Sequence, residues 1–397
     1  MAAQLKGVLV SRIAQVQALI TKLDSCSTSP LLGHETPLPS LRCSINDFDL
    51  QRLLSRGASS RVWLVRKRVT ADVFALKAIK IKRGRQKEEQ RVDVRVEQQI
   101  LMSHSSSFLV KCFFSFYSAQ HVFFALEFMP GGDLAAMLSA CGCVQEAATR
   151  FYVAEVAEGL RYLHSHNVIH RDIKPANVLI AASGHVKLAD FGLSTSRSRR
   201  KRCGTLPYIA PEGLREVDIL QPTGLDLWAL GVLLYELIVG VLPFHGDTPE
   251  EFLADIERRS LQGQGVFVPP AEVFASLSPS ATQLCQALLA HDPAERLGVD
   301  SFASLSGCPF FIGIDWDRLL EMAPPFVPDL ISPTDAQYFN GCCPPVDTLP
   351  SFAGHFPPSV EASPHQSGRI GSRPDASPMG WRPATTVNVE QLLSLTR

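Results

Sequence analysis

Apolar residues recur along this chain with a period that changes from one segment to the next, and the changes outline its elements. At the amino end Leu5, Leu9, Ile13, Val16, Ile20 and Leu23 follow one another at steps of three or four, which lines one face of a helix. Such a stripe fits a helix packed on a neighbouring domain or held by a partner. Lys6, Arg12 and Lys22 all precede the first acidic residue, Asp24, so a transit segment stays open as an alternative. Residues 25–44, rich in Ser and Pro, read as a linker. From 47 to about 128 the runs are short and strand-like. They include Leu53-Leu54, Val62-Trp63-Leu64-Val65, Phe74-Ala75-Leu76-Lys77-Ala78-Ile79 and the stretches 110–116 and 122–128. One charged segment, 80–95, interrupts them and opens a helix carrying Glu97, Ile100 and Leu101. Beyond Gly131-Gly132-Asp133 the period turns helical. Residues 147–164 form a long amphipathic stretch, and 225–240 is apolar nearly all round, as suits a helix buried inside a larger helical body. Residues 344–386 are Pro- and Ser-rich without a period, the composition of a disordered segment. No internal repeat is visible.

Composition narrows the picture modestly. The 397 residues are 46% hydrophobic and 19% charged, with a net charge of −1, ordinary values for a globular protein of about two to three domains. A nucleic-acid binder would be basic over a whole face, so none is expected. Ten cysteines are scattered with no CxxC pair and no zinc-like spacing. They read as reduced thiols in the cytoplasm and/or the nucleus. No apolar run reaches the roughly 20 residues of a membrane span.

The chemistry lies in three motifs. His170-Arg171-Asp172-Ile173-Lys174-Pro175-Ala176-Asn177 is followed by Asp190-Phe191-Gly192 and then by Ala210-Pro211-Glu212. In that order and at those separations they resemble the signature of a protein kinase. The resemblance implies a two-lobed α+β fold, a small β-rich lobe before a large helical one, and Mg·ATP as cofactor. Phosphoryl transfer leaves little covalent work to the protein, so the residues position groups and stabilise charge. Asp172 would accept the hydroxyl proton of the substrate, Lys174 would steady the transferring group, and Thr205 joins them. Asn177 and Asp190 would hold Mg²⁺. Lys77 and Glu97 would pair to grip the ATP phosphates, with Leu126 beside the adenine ahead of the hinge residues Glu127 and Phe128. Leu54, Val62, Ala75 and Leu179 complete the implied nucleotide pocket. The glycine loop is reduced: 55–62 occupies the GxGxxGxV place with Gly57 alone kept. Backbone N–H groups approach phosphates best where no Cβ intervenes, so weaker nucleotide binding is expected, not its loss.

Within the kinases the chain is similar to the AGC group of serine/threonine enzymes. Lys174 supports Ser/Thr over Tyr as acceptor. Segments 45–50, 54–58, 66–70, 126–134, 184–188 and 190–194 most resemble the branch holding the greatwall kinases, the microtubule-associated Ser/Thr kinases and their plant relatives. Phe310-Phe311, Ile314-Asp315-Trp316, Phe326-Val327-Pro328 and 335–339 resemble the AGC carboxyl-terminal tail, in which Phe339 would complete the adenine pocket. The implied divisions are 1–46 as helix and linker, 47–311 as catalytic domain, 312–341 as tail and 342–397 as a disordered region. Ser363-Pro364 and Ser377-Pro378 there are places for a proline-directed kinase.

The departures from the family set the remaining expectations. Asp133 and Glu236 match the carboxylates that select basic residues upstream of the acceptor, while Ala176 removes a third acid. Protein substrates with loosely preferred upstream Arg or Lys follow. Leu206-Pro207 stands where Pro-Glu is usual, and Lys201 stands where the activating Ser or Thr would be. Ser196 or Ser198, among five basic residues of 196–202, could carry that phosphate instead. No Phe-x-x-Phe motif closes the chain. A weakly active enzyme or a pseudokinase scaffold is the alternative. It would leave Lys77, Glu97, Asp172, Asn177 or Asp190 free to drift, and all five are present.

Overall fold

The computed structural model describes residues 43–57, 60–82, 86–118, 120–194, 203–215, 219–262, 267 and 277–339. The expected amino-terminal helix, the basic run 196–202 and the carboxyl-terminal region 342–397 lie outside these residues.

The first lobe is an antiparallel sheet of β1 (Phe48–Arg56), β2 (Ser60–Lys67), β3 (Val73–Lys80), β4 (Cys112–Tyr117) and β5 (His121–Glu127), in the spatial order β1-β2-β3-β5-β4. Between β3 and β4 runs α1 (Gln86–Ser103). Alternation along each strand sends neighbouring side chains to opposite faces. Phe48, Leu53, Trp63, Val65, Phe74 and Leu76 form one apolar layer, with Cys43 and Ile45 packed on its edge. Phe48 stacks on Phe116 at 5.8 Å and Phe116 on Phe123 at 5.0 Å. The other face carries Leu54, Leu64 and Ala75. Lys77, two positions beyond Ala75, points to that same face, and this is how the strand delivers an ammonium into the cleft between the lobes.

The second lobe is helical. It holds α2 (Leu134–Cys141), α3 (Glu146–Ser165), a hairpin of β6 (Val178–Ile180) and β7 (Val186–Leu188), α4 (Pro211–Leu214), α5 (Thr223–Val239), α6 (Pro249–Gln262), α7 (Pro279–Leu288) and α8 (Phe302–Ser306). The all-round apolar stretch foreseen at 225–240 is α5, whose Trp228, Leu230, Val232, Leu233, Leu234 and Leu237 are wholly inaccessible. The fold is therefore the expected two-lobed α+β arrangement.

Residues 312–339 form no regular element of length, yet they are pinned along their course. Trp316 packs on Phe302 and Phe311. Gly184, with φ +91°, brings its backbone against the Phe326 carbonyl, where any Cβ would lie at 2.2 Å. Gly132, with φ +76°, does the same beneath the Tyr338 carbonyl. Only glycine allows both the positive φ and these approaches. Phe339 then stacks on Phe128 with ring centroids 6.0 Å apart and planes 15° apart. The segment thus runs from the foot of the helical lobe to the sheet.

Candidate active site

The loop 170–177 is held from beneath by one buried carboxylate. Asp226 on α5 accepts the backbone N–H of His170 at 2.9 Å and of Arg171 at 2.7 Å, and lies 2.8 Å from His164 Nε2. Burial alone would raise its pKa, but His164 and the loop N–H groups outweigh that and hold it below the usual carboxylate range. Arg171 takes the left-handed conformation, φ +69°, a strain that this capping fixes. His170 is inaccessible, and burial keeps it neutral by lowering its pKa. Its Nδ1 accepts from the Asp172 N–H at 3.3 Å, so the ring proton sits on Nε2, 3.1 Å from the Ala189 carbonyl.

Asp172 is fixed through both oxygens. Oδ1 accepts the Thr205 N–H at 3.1 Å and the Thr205 hydroxyl at 2.7 Å. Oδ2 accepts Lys174 Nζ at 2.7 Å and Asn177 Nδ2 at 2.8 Å. Lys174 also donates to Thr205 Oγ1 at 2.7 Å. The four residues make one network around a single acid, which fixes its orientation.

Across the cleft Lys77 Nζ lies 2.6 Å from Glu97 Oε1 and 2.7 Å from Asp190 Oδ1. Burial works against the ammonium, but the two carboxylates overcome it and raise the pKa above the ordinary lysine range. The same ammonium, opposed by burial, holds Asp190 down at about 2. Asp190 has φ +64° and a side chain 48% exposed, so its carboxylate still faces open space. Phe191 behind it is buried against His170 at 5.2 Å. Asn177 spends its Nδ2 on Asp172, which leaves its amide oxygen to face a cation as a ligand. An amide oxygen and an ionised carboxylate are the hard ligands Mg²⁺ takes when phosphates and waters supply the rest. Among the described residues no three His, Cys, Asp or Glu side chains could hold a metal by themselves.

Two apolar layers flank this charged corner. Above are Leu54, Leu64, Ala75 and Ala336, with Val62, Leu126, Phe128 and Phe339 against them. Below are Val110, Met129 and Ala189, with Leu126 and Leu179. Leu126 belongs to both, as expected of a residue at the back of a slot for a flat ring. Glu127 differs from the other pocket residues: its carboxylate meets Lys187 Nζ at 2.8 Å through each oxygen, so any contact with a base falls to its backbone. Gly57 donates to the Ser60 carbonyl at 2.9 Å, closing the turn between β1 and β2; Ala58 and Ser59 lie outside the described residues.

The two acids expected to read substrate are half-buried. Asp133 caps α2 by accepting the Ala136 N–H at 2.8 Å, and Glu236 accepts the Tyr208 hydroxyl. Burial pushes both carboxyls up. Glu212 and Arg296 pair at 2.5 and 2.8 Å. His164, Lys187 and Tyr208 were not singled out from the sequence. Each acts through a partner 28 to 62 positions away, and a lone polar residue carries no local pattern that would reveal this.

A model of the protein kinase domain matches residues 48–307. A probable serine/threonine protein kinase IRE4 of Arabidopsis thaliana is 35% identical over 346 residues, covering 78% of this chain and 32% of that protein. IREH1 of the same plant is 35% identical over 342 residues, covering 76% of this chain and 25% of its own. The human ribosomal protein S6 kinase alpha-3 is 35% identical over 342 residues, 83% of this chain and 43% of that protein. The chain spans less than half the length of each of these relatives.

Proposed function

The chain belongs to the protein kinase family, and we propose that it is an AGC-group serine/threonine kinase transferring the γ-phosphoryl group of ATP to protein hydroxyls. The network around Asp172 carries this reading, because it presents one oriented acid beside one cation at the mouth of the cleft. Asp172 takes the proton of the attacking hydroxyl while Thr205 and Asn177 hold its carboxylate in place. Lys174, 2.7 Å from both Asp172 and Thr205, sets positive charge where the transferring group gains negative charge. Lys77, itself oriented by Glu97, grips the nucleotide phosphates. The adenine fits the slot between Leu54, Val62 and Ala75 above and Leu179 below, closed by Phe339. Bound through Asn177 and Asp190, Mg²⁺ would neutralise phosphate charge and fix the geometry of the triphosphate.

The finer assignments rest on the residues already quoted. The segments 45–50 and 126–134 support the greatwall and microtubule-associated branch. Asp133 and Glu236 support upstream Arg in the substrate, since an ionised carboxylate meets guanidinium in a strong, directional contact. A peptide array with no upstream Arg or Lys enrichment would remove that assignment. Reduced thiols support residence in the cytoplasm or nucleus. Among the described residues no helix is long and apolar enough to cross a membrane. The test of the activity is transfer from γ-labelled ATP to a Ser/Thr peptide library, the wild type beside Asp172→Asn.

A further inference from the structure

Whether Glu97 meets Lys77 depends on where α1 sits, because Glu97 rides on that helix while Lys77 is fixed in the sheet. Val94, Ile100 and Leu101 bury the helix against the lobes, but apolar contact is non-directional and leaves rotation and sliding only weakly opposed. Two glutamines supply direction. Gln90 accepts the Lys82 N–H at 2.6 Å and donates to the Lys80 carbonyl at 2.9 Å. This fastens the early part of α1 to the exit of β3, the strand that bears Lys77. Gln98 directly follows Glu97. Its Nε2 donates to Ser115 Oγ at 3.0 Å, and its Oε1 accepts the Tyr117 hydroxyl. Ser115 and Tyr117 stand two apart on β4, hence on the same face of that edge strand.

We propose that Gln98, gripped by Ser115 and Tyr117, is a positioning residue that clamps α1 to β4 with Glu97 turned toward Lys77. The inference deepens the kinase reading and rests on it. One amide uses its donor and its acceptor on two adjacent hydroxyls, which fixes both the height and the rotation of the helix at the residue beside Glu97. Tyr117 is 56% exposed, so water competes for the bond and the clamp is moderate in strength. Because the phosphates are gripped only when Lys77 is oriented, loosening the clamp lowers the fraction of molecules competent to bind nucleotide. It leaves the chemistry of those that do bind intact.

The test uses the full chain and Mg·AMP-PNP in calorimetry, with steady-state KM for ATP and kcat alongside. Gln98→Leu and Tyr117→Phe should each raise Kd and KM about three- to tenfold, as loss of one or two hydrogen bonds and of competent population predicts. The kcat at saturating ATP should stay at the wild-type value. Gln98→Glu, which can accept from both hydroxyls, should restore affinity. In a Glu97→Gln background Gln98→Leu should add nothing, since the clamp acts through Glu97. An unchanged Kd in Gln98→Leu, a fall in kcat at constant KM, or full additivity with Glu97→Gln would overturn the proposal. If the wild type binds Mg·AMP-PNP but transfers nothing, the kinase reading fails while Kd still reads the clamp. If it binds no nucleotide, amide hydrogen exchange across 86–103 decides: selectively faster exchange in Gln98→Leu supports the clamp, and unchanged exchange rejects it.

Discussion

Lys77 and Asp190 are joined across the cleft at 2.7 Å although they lie 113 positions apart, and the same ammonium also meets Glu97. Glu97 is 3% exposed, so removing the lysine strands a buried carboxylate. Lys77→Met should therefore cost stability as well as activity: about 3–5 kcal/mol in urea unfolding, and roughly 10³ in turnover. Lys77→Met with Glu97→Gln should recover most of the stability and none of the turnover. Equal stability of Lys77→Met and wild type would show that the pair is not buried as described.

Arg296 is a second buried hub. Its guanidinium is wholly inaccessible, binds both oxygens of Glu212, donates to the carbonyls of Ala290 and Gly224, and lies 4.9 Å over the Trp228 ring. Lysine keeps the charge but not the planar fork. Arg296→Lys is expected to lower stability by about 2–4 kcal/mol, read as a shift of the urea midpoint at unchanged slope.

How much of this was legible in the sequence differs between kinds of residue. The pairing of Lys77 with Glu97 could be read ahead because the kinase motifs imply both places. The buried course of α5 followed from its apolar run. The clamp of Gln98 on Ser115 and Tyr117, and the tie of Lys187 to Glu127, could not. Glutamine, serine and lysine have ordinary surface roles, and only the register of β4 and β7 brings them to their partners. Glu127 was read as a hinge residue, and nothing in its local pattern showed that its carboxylate is held by Lys187.

A pH dependence follows from Glu155 on α3. It is 1% exposed, lies 2.5 Å from His185 Nδ1 and accepts the Val186 N–H at 2.7 Å. Burial outweighs these bonds and lifts its pKa from the ordinary 4.5 to about 7. The folded chain thus holds a proton that the unfolded chain has lost between those values. The contribution is fully present below 4.5 and is lost as pH rises through 7, at most about 3 kcal/mol. The buried His170 and the half-buried His245 and His291, whose pKa values desolvation lowers, act in the opposite sense below about 6.5. The difference between wild type and Glu155→Gln isolates the carboxyl. The variant should gain relative stability as pH goes from 5 to 8, and a constant difference would refute the shift.

Phe339 reaches the small lobe through its stack on Phe128 and its contact with the layer of Leu54 and Ala75. Phe339→Ala should leave thermal stability nearly unchanged and raise KM for ATP about three- to tenfold, the size of a lost aromatic contact. An unaltered KM would detach the tail from the nucleotide pocket.

In the proposed reaction phosphoryl transfer takes place at Asp172. Its most direct measurement is single-turnover transfer from γ-labelled ATP to a Ser/Thr peptide bearing upstream Arg, using the full chain and its Asp172→Asn variant. Asparagine keeps the shape and the oxygen that Thr205 binds but cannot take a proton. The expected result is transfer by the wild type and a fall of roughly 10³ or more in the variant, with affinity for Mg·AMP-PNP unchanged. Transfer by Asp172→Asn at the wild-type rate, or none by the wild type on any Ser or Thr peptide, would contradict it.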